Sequence, residues 1–460
     1  MLLEHYRALT ESAFFATCSR RASRRRATLH ALAQLPTLGR RTISRVLCTL
    51  GRQHQDWSAD YKLFSRSPWN PDAAFDPVID EWLARNPSGP MAVAVDDTKL
   101  RRSGKKIPGA QWLLDPLSPA FHPNLMWGER RLHVSMLFAH YRENGEQPIP
   151  CRAVPLRFQH TPSLKKPGAK ATEQEKAEYR QARKQHNLST YAVQLLRAVR
   201  ERVDQRGGRG RPLVVAGDGS FCNRTTFRSE IEGLIWLSRT RKDARLCFAA
   251  APGSRRKYGC AFTPEEVRRS DFVAYQSARA FYGGQWREVR YKEVRGVLWR
   301  RGAGTRRQRL LVIAPLPYKI TKQSRTYYHA AAYLLCTDSD QMASKDLLQI
   351  YLDRWQSEVN HRELKEVFGV GDAQVCSPKS VPRHPAFAAA CYSLLLIAGM
   401  RAFGPGWNPN YFPLPRWRSK TPLRPSAFDL LTRLRHEIYE TPSSSDLSVI
   451  ARNLGRWAYT

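Results

Sequence analysis

Five short apolar segments, separated by turn residues, constrain the fold of this chain more than any other feature. Each is rich in Val, Leu, Phe or Tyr and bounded by Gly, Pro, Asn or Asp, which is typical of β-strands. They are MAVAVDD (91–97), RRLHVSMLFAHY (130–141), CRAVPLRFQ (151–159), PLVVAGD ending at Asp218, and GLIWLSRT (233–240). A long polar helix is predicted over residues 172–204, between the third and fourth strands. Strands combined with helices in this way indicate an α/β fold.

A second group of strand-like segments interrupts this order between residues 241 and 330. They are RLCFAAA (245–251), WREVRYKEVRGVLWRR (286–301) and RQRLLVIAPL (307–316). We interpret them as a β-rich insertion. The first pattern resumes with the strand AAYLLCTD (331–338) and a late helix. Three strands, a helix, two strands and a late helix is the order of an RNase H-like catalytic domain, predicted here as residues 90–240 and 331–403.

The first 89 residues are basic and predicted to be helical. RRASRRR (20–26) precedes two amphipathic segments, around residues 27–35 and 40–50, and Gly51 is suited to end the second helix. A helix, a short turn and a basic helix are compatible with a DNA-binding module. A small helical domain with a solvated basic face is the alternative.

Basic residues strongly outnumber acidic ones. The chain has 75 Lys and Arg against 40 Asp and Glu, a formal net charge of +35 and a pI near 10.3. This charge predicts a polyanionic partner, and nucleic acid is the first candidate. A membrane surface is the competing polyanion, but no apolar run reaches the roughly 20 residues that span a bilayer. The longest, residues 386–400, is interpreted as a buried helix.

The compartment is predicted from the N-terminal residues and the cysteines. Glu4, His5 and Arg7 stand where a signal peptide needs apolar residues. Nine cysteines are scattered without a C-x2-C pair, which indicates neither a disulfide framework nor a zinc site. We therefore expect a reducing cytoplasm and no membrane partner. Residues 404–460 are rich in Pro, Trp and Arg and then helical at 427–440, and we predict no role for them.

Three acids stand at strand ends or on the late helix. They are Asp96 or Asp97, Asp218, and Glu358. Carboxylates that converge at one edge of a sheet repel one another unless a cation neutralises them, and Mg²⁺ prefers such oxygen ligands. Two ions about 3.5–4 Å apart can activate water and stabilise the leaving oxygen in phosphodiester cleavage. For any single Asp at a strand end, a turn residue or a helix cap is the alternative.

The late helix contains the segment YLDRWQSEVNHRELK (351–365). On one α-helix, Arg354, Glu358 and Lys365 fall at roughly −60°, −20° and −40° from Tyr351. All four would share one narrow stripe about 21 Å long, which suits a long anionic ligand. The alternative is an ordinary surface pair of Arg354 and Glu358, worth about a few tenths of a kcal/mol. That alternative leaves Tyr351 and Lys365 unexplained.

This segment matches, at every defined position, the signature Y-x2-R-x3-E-x6-K of a group of bacterial insertion-sequence DDE transposases. AVDDTKL (94–100) resembles the first-acid strand of that group, and VVAGDGSF (214–221) resembles the second-acid strand. The β-rich insertion lies between the second and third acids, as in that group. The resemblance covers roughly residues 90–400 and implies an RNase H-like catalytic domain.

The resemblance also implies roles for individual residues. The residues that would hold two Mg²⁺ ions, for which Mn²⁺ can substitute, are Asp96, Asp218 and Glu358. The residues that would contact phosphates of the cleaved transposon end are Tyr351, Arg354 and Lys365. Trp299, in the insertion among several arginines, would stack on an extruded base as members of the family do. Core packing is the alternative for Trp299.

The implied activity is that of a cut-and-paste transposase, a Mg²⁺-dependent nuclease and strand transferase. It would bind the terminal inverted repeats of its own element and the target DNA, as a homodimer on DNA, at the nucleoid of a bacterial cell. Two alternatives stay open. One is a domesticated transposase that only binds DNA, and the other is a structure-specific nuclease of the same fold.

The doublet Asp96-Asp97 leaves the first acid to be decided. Successive strand side chains point to opposite faces, so both cannot converge on the same site if the strand continues through them. Asp96 shares its face with Ala92 and Ala94, whose small side chains leave room beside a metal, and we favour it. A strand that ended or twisted here would instead allow Asp97 to take that place.

Overall fold

Helices and strands make up most of the computed structural model, which describes residues 1–115, 118–119, 121–140, 148–321, 323–338, 340–440 and 445–458. The α-helices are α1 (Leu2–Thr17), α2 (Arg21–Gln34), α3 (Ile43–Thr49), α4 (Ser58–Ser65), α5 (Asp76–Arg85), α6 (Glu173–Gln185), α7 (Leu188–Val203), α8 (Arg224–Phe227), α9 (Pro264–Arg269), α10 (Ser344–Asp353), α11 (Gln356–Arg362), α12 (Ser380–Phe403), α13 (Ala427–Glu440) and α14 (Ser445–Ala458). The strands are β1 (Met91–Arg101), β2 (Gln111–Leu114), β3 (Leu125–His140), β4 (Ile149–His160), β5 (Leu213–Gly217), β6 (Leu234–Arg239), β7 (Leu246–Ala249), β8 (Tyr258–Phe262), β9 (Gln276–Tyr282), β10 (Gln285–Trp299), β11 (Gly304–Ile313), β12 (Pro317–Tyr318), β13 (Tyr327–Tyr328) and β14 (Ala332–Cys336).

The chain forms two compact units, and each is made of separate stretches of sequence. The first unit consists of Met1–Asn86, Asp97–Asn187 and Ser357–Thr460. The second unit consists of Pro87–Asp96 and Leu188–Gln356. The chain therefore passes from the second unit to the first between Asp96 and Asp97, and again between Gln356 and Ser357.

The second unit is built on a large mixed sheet. Its first part is parallel, since β1 pairs with β5 and β5 with β6 in the same direction. β14 then pairs antiparallel with β6, and the order continues through β11, β10, β7 and β8, with β9 paired to β10. All five residues of β5 are buried. A parallel strand covered on both faces has no polar side to alternate with, which explains the continuous apolar runs in the sequence.

The strand-like segments predicted between residues 241 and 330 are observed as β7, β10 and β11. β11 pairs with β14 and thereby joins the same sheet as β6. Leu311, Leu334 and Cys336 from this part of the sheet pack with Leu347 and Leu348 of α10 in one hydrophobic core. The packing of α10 onto the sheet fixes the position of the residues at its C-terminal end.

The first unit combines an antiparallel group of strands with most of the helices. β3 pairs with β2 on one side and with the long strand β4 on the other. α12 packs against β4 and α1. It has 24 residues, and its most apolar 18-residue stretch has a mean hydropathy of 1.6. By length and composition it could cross a membrane, but 89% of that stretch is buried within the protein. The interpretation of residues 386–400 as a buried helix is confirmed.

The long helix predicted over residues 172–204 is wrong, because two helices occupy this region. α6 ends at Gln185, and α7 begins at Leu188. Asn187 Nδ2 donates to the carbonyl oxygens of Arg183 and Lys184 at 3.2 and 2.8 Å, which satisfies acceptors at the end of α6. α6 has no buried residue, whereas α7 buries an apolar stripe, so the two helices lie in different surroundings.

Candidate active site

Two aspartates, one after β5 and one within β1, lie next to each other where the parallel pairing of these strands ends. The last pair of this ladder joins Val95 and Gly217, so the next residues along the chain are Asp96 and Asp218. In-register residues of neighbouring parallel strands point to the same face, and the strands lie about 4.8 Å apart. The register therefore brings these two acids together at one edge of the second unit's sheet.

Asp218 also caps the turn that follows it. Its Oδ1 accepts hydrogen bonds from the backbone N–H of Ser220 at 2.9 Å and from the Ser220 hydroxyl at 2.6 Å. These bonds start a single 3₁₀ turn over Gly219–Phe221. The capping role weighed as an alternative is thus observed. It is compatible with metal binding, because both bonds fix the carboxylate through Oδ1 and neither engages Oδ2.

Arg354 is the charged neighbour of Asp96. Its Nη1 lies 3.7 Å from Asp96 Oδ2, and the two side chains are 14% and 15% exposed, so solvent screens the pair only in part. Arg354 is the C-cap residue of α10 and still has helical backbone angles. Its guanidinium also lies 6.0 Å from the centroid of the Tyr351 ring. Arg354 thus connects Tyr351 to the acid pair.

Asp97 has a different partner. β1 does not end at the aspartate doublet but continues to Arg101, so the two side chains alternate between faces. Asp97 Oδ2 lies 3.5 Å from Arg130 Nε within the first unit. The expectation that the first acid stands at a strand end is wrong for β1. What ends before Asp96 is the pairing with β5.

The prediction of one helix over residues 351–365 is also wrong. α10 ends at Asp353, a turn follows in which the Trp355 N–H bonds to the Leu352 carbonyl, and α11 begins at Gln356. α11 in turn gives way to a π-helical turn over Glu363–Val367. Each of these changes shifts the helical phase, so the spacing of 100° per residue does not extend along the whole segment.

Glu358 and Lys365 belong to the first unit. Glu358 is half-buried in the first turn of α11, and Lys365 is half-buried in the π-helical turn. Asn360 anchors α11, because its Nδ2 donates to a β3 hydroxyl and a β4 carbonyl at 3.2 and 3.1 Å, and its Oδ1 accepts from the Tyr392 hydroxyl at 3.0 Å. The helix that carries Glu358 is therefore fixed by buried polar contacts.

The acid pair offers oxygen ligands of the kind that Mg²⁺ binds. Two neighbouring carboxylates and one guanidinium at the same edge keep a net negative charge, which attracts a divalent cation. Within the part of the chain that the structure describes, no group of three or more His, Cys, Asp or Glu side chains could hold a metal ion. The second unit thus provides two candidate ligands, Asp96 and Asp218.

A cleft of about 780 Å³ lies in the second unit beside the turn that follows Asp218. Its lining includes Gly219, Cys222, Arg239, Arg241, Lys242, Arg268, Trp299 and Tyr333, and we name it the Trp299 cleft. The half-buried Trp299 ring makes an edge contact with Phe227 at 5.6 Å between centroids. Gly302 packs so closely on the ring that a Cβ there would lie 2.1 Å from it. Trp299 is therefore both packed against neighbours and part of the cleft wall.

Residues that the sequence analysis did not single out set the charge of this cleft. Glu265 accepts hydrogen bonds from Arg268 at 2.6 and 2.9 Å, from Arg269 at 2.8 Å and from the Tyr333 hydroxyl. These bonds, that of Arg268 above all, hold the pKa of Glu265 well below its ordinary value. Burial and the bond to Glu265 raise the pKa of Tyr333 to about 12, so its hydroxyl is a neutral donor at pH 7.

The sequence contained only part of the signal for this cluster. The spacing of Glu265, Arg268 and Arg269 is that of ion pairs on a helix. The third partner, Tyr333, lies on β14, 68 residues further along the chain. Only the pairing of β14 with its neighbours reveals this contact.

Comparison with known proteins identifies the family. The sequence model of a family described as DDE superfamily endonuclease matches residues 13–306, which is more than half of the chain. The match contains Asp96 and Asp218 and ends before Glu358. No curated protein matches the chain. Endonucleases of this superfamily act on DNA and typically use divalent metal ions. The predicted RNase H-like α/β fold is confirmed by the large mixed sheet together with this match, and the chain belongs to the DDE superfamily of endonucleases.

Proposed function

We propose that this protein is a cut-and-paste DNA transposase, which cuts at the terminal inverted repeats of its own element and joins the freed ends to target DNA. The observation that carries the proposal is the register that sets Asp96 beside Asp218, with Arg354 3.7 Å from Asp96. Two adjacent carboxylates favour a bound cation, and a guanidinium can fork onto a phosphate oxygen pair. The edge of the sheet thus suits a metal ion and a phosphodiester together.

Asp96 and Asp218, with Glu358 as the third ligand, would hold two Mg²⁺ ions, and Mn²⁺ could replace them. Bound there, the ions would activate water and stabilise the leaving oxygen. Asp218 is already oriented through the two Ser220 bonds to Oδ1. Glu358 is carried by a helix that Asn360 anchors. Pre-oriented ligands reduce the reorganisation that binding requires.

Arg354, Tyr351 and Lys365 would position the strand that is cut. Arg354, 3.7 Å from Asp96, would turn to the scissile phosphate once Asp96 serves as a ligand to a bound cation. In the hydrolytic step, a water oxygen forms a bond to phosphorus as the bond to the 3′ oxygen breaks, which leaves a 3′-OH and a 5′-phosphate. In strand transfer, that 3′ oxygen bonds to a target phosphorus while the target's own 3′ oxygen leaves. One phosphodiester replaces another.

The Trp299 cleft would receive a base extruded from the DNA end. The indole lines the cleft together with Arg239 and Lys242, and the turn after Asp218 forms one wall. Two further arginines of the lining are paired with acids, Arg241 with Asp243 and Arg268 with Glu265. Stacking on an aromatic ring is tolerant of base identity, and the basic side chains would neutralise the flanking phosphates. This arrangement supports the proposed stacking role of Trp299 beside the cutting site.

The net charge of +35 supports long contact with a DNA backbone. We propose that the protein acts as a homodimer on double-stranded DNA, one protomer for each end of the element, at the nucleoid in the bacterial cytoplasm. Cutting two ends in one complex requires two sets of Asp96, Asp218 and Glu358. A homodimer supplies them.

The test uses the purified protein and a plasmid carrying its coding region with the flanking genomic DNA. We expect Mg²⁺-dependent nicks at the inverted repeats that flank the element, lost in Asp218→Asn and retained in Asp271→Asn, an exposed acid of the same unit. Specific binding without cleavage in Mg²⁺ or Mn²⁺ would identify a DNA-binding protein instead. Cutting at branched DNA irrespective of sequence would identify a structure-specific nuclease.

A further inference from the structure

A second basic cleft, of about 890 Å³, lies in the first unit among the N-terminal helices. It is lined by arginines of α2, by the residues that follow α3 and by one residue of α14. We name it the arginine cleft and define it by Arg21, Arg25, Arg26, Arg52 and Val449. None of the described residues that line it is acidic. The four arginines therefore give the cleft a concentrated positive charge, and no acidic side chain in its lining neutralises them.

The arginines of α2 occupy one fixed face of that helix. From Arg21, the positions of Arg25 and Arg26 lie at roughly 40° and 140° around the helix axis. In the same part of α2, up to His30, the buried residues Ser23, Ala27 and His30 fall at roughly 200°, 240° and 180°. Because the apolar face packs inward, the three arginines are directed to the cleft side of the helix.

Asp60, fully buried beneath the cleft, fixes two of the arginines. Its Oδ1 lies 3.1 Å from Arg52 Nη1, 3.4 Å from Arg26 Nε and 2.9 Å from His30 Nε2. Burial raises the pKa of the Asp60 carboxyl, but the bond from His30 and the charges of Arg52 and Arg26 outweigh it, so the pKa stays below its ordinary value. One carboxylate holds two guanidiniums in place and leaves the cleft positive.

A glycine turn sets the position of Arg52. Gly51 has φ +67°, its N–H bonds to the Cys48 carbonyl, and the Arg52 N–H bonds to the Leu47 carbonyl at 2.9 Å. This is the Schellman arrangement that ends a helix with a left-handed residue. The prediction that Gly51 ends this helix is confirmed. A Cβ on Gly51 would also lie 2.7 Å from Val449, so the turn requires glycine for space as well as for φ.

The third wall of the cleft comes from the far end of the chain. α14 buries one apolar face, which contains Leu447, Ile450 and Leu454. Asn453 Nδ2 donates to the carbonyl oxygens of Cys48 and Thr49 at 3.0 and 3.2 Å. The Cys48 carbonyl accepts this bond in addition to the one from the Gly51 N–H, and the Thr49 carbonyl belongs to the last turn of α3, where carbonyls need partners from outside the helix. α14 is thus joined to the N-terminal helices by apolar packing and by a cap.

We infer that the arginine cleft binds the phosphate backbone of duplex DNA and that α14 is part of the DNA-binding module. Guanidinium groups donate in a fixed fork that matches phosphate oxygens, and two of them, those of Arg26 and Arg52, are pre-oriented by the buried Asp60 carboxylate. The inference rests on the proposed function for its ligand, and it assigns a role to residues 445–458. The module would be built from both ends of the chain.

The test measures the affinity of the full-length protein for a 30-base-pair duplex of mixed sequence over a series of salt concentrations. Arg21→Gln with Arg25→Gln should raise Kd at least about tenfold, since each removes a charged hydrogen bond. The slope of log K against log salt should become less negative by about 1.8, about 0.9 for each lost phosphate contact. Arg416→Gln with Arg418→Gln, two exposed arginines outside the cleft, is the matched control and should change neither quantity.

Position 449 tests the role of α14. Val449→Glu should raise Kd and Val449→Lys should lower it, each by about fivefold, because the added charge faces the DNA backbone. A merely structural effect of a charged residue would move both variants in the same direction. Arg452→Gln, which changes charge by the same unit as Val449→Glu on an exposed side of α14, should stay within twofold of the wild type.

The outcomes separate this inference from the proposed function. If the protein binds the duplex but the cleft variants match their controls, the inference is wrong and the proposed function stands. If the unmodified protein binds no duplex DNA, both fail. If the cleft variants weaken binding to a duplex RNA of the same length and not to DNA, the ligand is RNA and the inference is overturned.

Discussion

The guanidinium of Arg354 lies 3.7 Å from the carboxylate of Asp96, at the edge of the sheet where Asp218 also emerges. The arginine occupies a position from which it can neutralise the acid or contact a bound phosphate. Since both side chains are mostly shielded from solvent, the pair interacts more strongly than an exposed ion pair would. In the proposed function, Arg354 would link the charge of the candidate metal ligands to the placement of DNA.

Replacing Arg354 with Ala should reduce the cleavage rate about a hundredfold while changing DNA affinity much less, because a donor to the scissile phosphate is lost. The same change should make Mg²⁺ raise the thermal unfolding midpoint more than it does in the wild type. The reason is that the Arg354 guanidinium no longer competes with Mg²⁺ for the Asp96 carboxylate. Single-turnover cleavage, DNA titration and thermal unfolding with and without Mg²⁺ measure these effects. Arg245→Ala, an exposed arginine of the same unit, serves as the control. Equal behaviour of the two variants would contradict the role of Arg354.

Glu358→Gln should abolish Mg²⁺-dependent cleavage and leave binding to DNA intact. The change removes a charged ligand while keeping the shape of the side chain. Removing a residue that only hydrogen-bonds to a metal ligand costs about 10–100-fold in metal affinity or activity, and the loss of cleavage activity here should be larger. Glu366→Gln, an exposed acid in the following π-helical turn, should cut at the normal rate. Normal cleavage by Glu358→Gln would show that the third ligand is another residue.

Asp96→Asn and Asp97→Asn should behave differently. The register aligns Asp96 with Asp218, whereas Asp97 lies on the other face near Arg130. We expect Asp96→Asn to lose Mg²⁺-dependent nicking of end DNA and Asp97→Asn to retain it. The reverse result would make Asp97 the ligand, and normal nicking by both would place the metal site elsewhere.

Trp299→Ala should weaken the capture of an extruded base by about 1–3 kcal/mol, whereas Trp299→Phe should retain most of it. The fluorescence of 2-aminopurine placed at the cleaved end reports extrusion directly. Trp286→Ala, on the same strand, is the control. If Trp299→Ala instead lowers stability by about 3–5 kcal/mol, the amount expected for a core aromatic, and leaves extrusion unchanged, the ring serves only packing.

Glu129→Gln should destabilise the first unit by about 3–5 kcal/mol, because it leaves two buried arginines without their carboxylate. Arg102 and Arg131 lie within hydrogen-bonding distance of Glu129, and all three side chains are fully buried. Denaturant unfolding measures the change, and Glu178→Gln on the exposed α6 should have little effect. An equal stability of the two variants would contradict the prediction.

The Glu129 cluster should also make stability depend on pH. Burial raises the pKa of Glu129, but the charges of Arg131 and Arg102 outweigh it, so the folded-state pKa lies below the ordinary value of 4.5. A depressed pKa contributes stability that is fully present above the unfolded value and is lost as the pH falls through the folded one. The contribution should therefore disappear only below pH 4.5.

The parallel strands could be predicted from the sequence because burial on both faces leaves a continuous apolar run, as in β5. The end of that run also predicted that the strand ends at Asp218, the acid that follows β5. The sequence pattern did not reveal the interruption of the helix after Asp353, and the helix that follows is anchored by distant contacts. Asn360 bonds to Ser135 and Ala153, which are 225 and 207 residues away in the sequence. A helical wheel contains no information on such anchors.

The candidate site shows the same limit. The sequence identified Asp96, Asp218 and Arg354 as residue types suited to metal and phosphate, since each lies in a recognisable local pattern. It did not reveal that Arg354 faces Asp96, because that contact depends on how α10 packs onto the sheet. Nor did it reveal the contact between Tyr333 and Glu265, which requires the observed strand pairing.

The cap that Asn453 provides for α3 joins residues that are 405 positions apart. During synthesis at about 5–20 residues per second, roughly 20–80 s separate the emergence of these two segments. Through that interval the N-terminal helices exist without the wall that α14 supplies. A chain that terminates early, or a truncated gene copy, therefore lacks the complete arginine cleft and should not compete with the full-length protein for DNA.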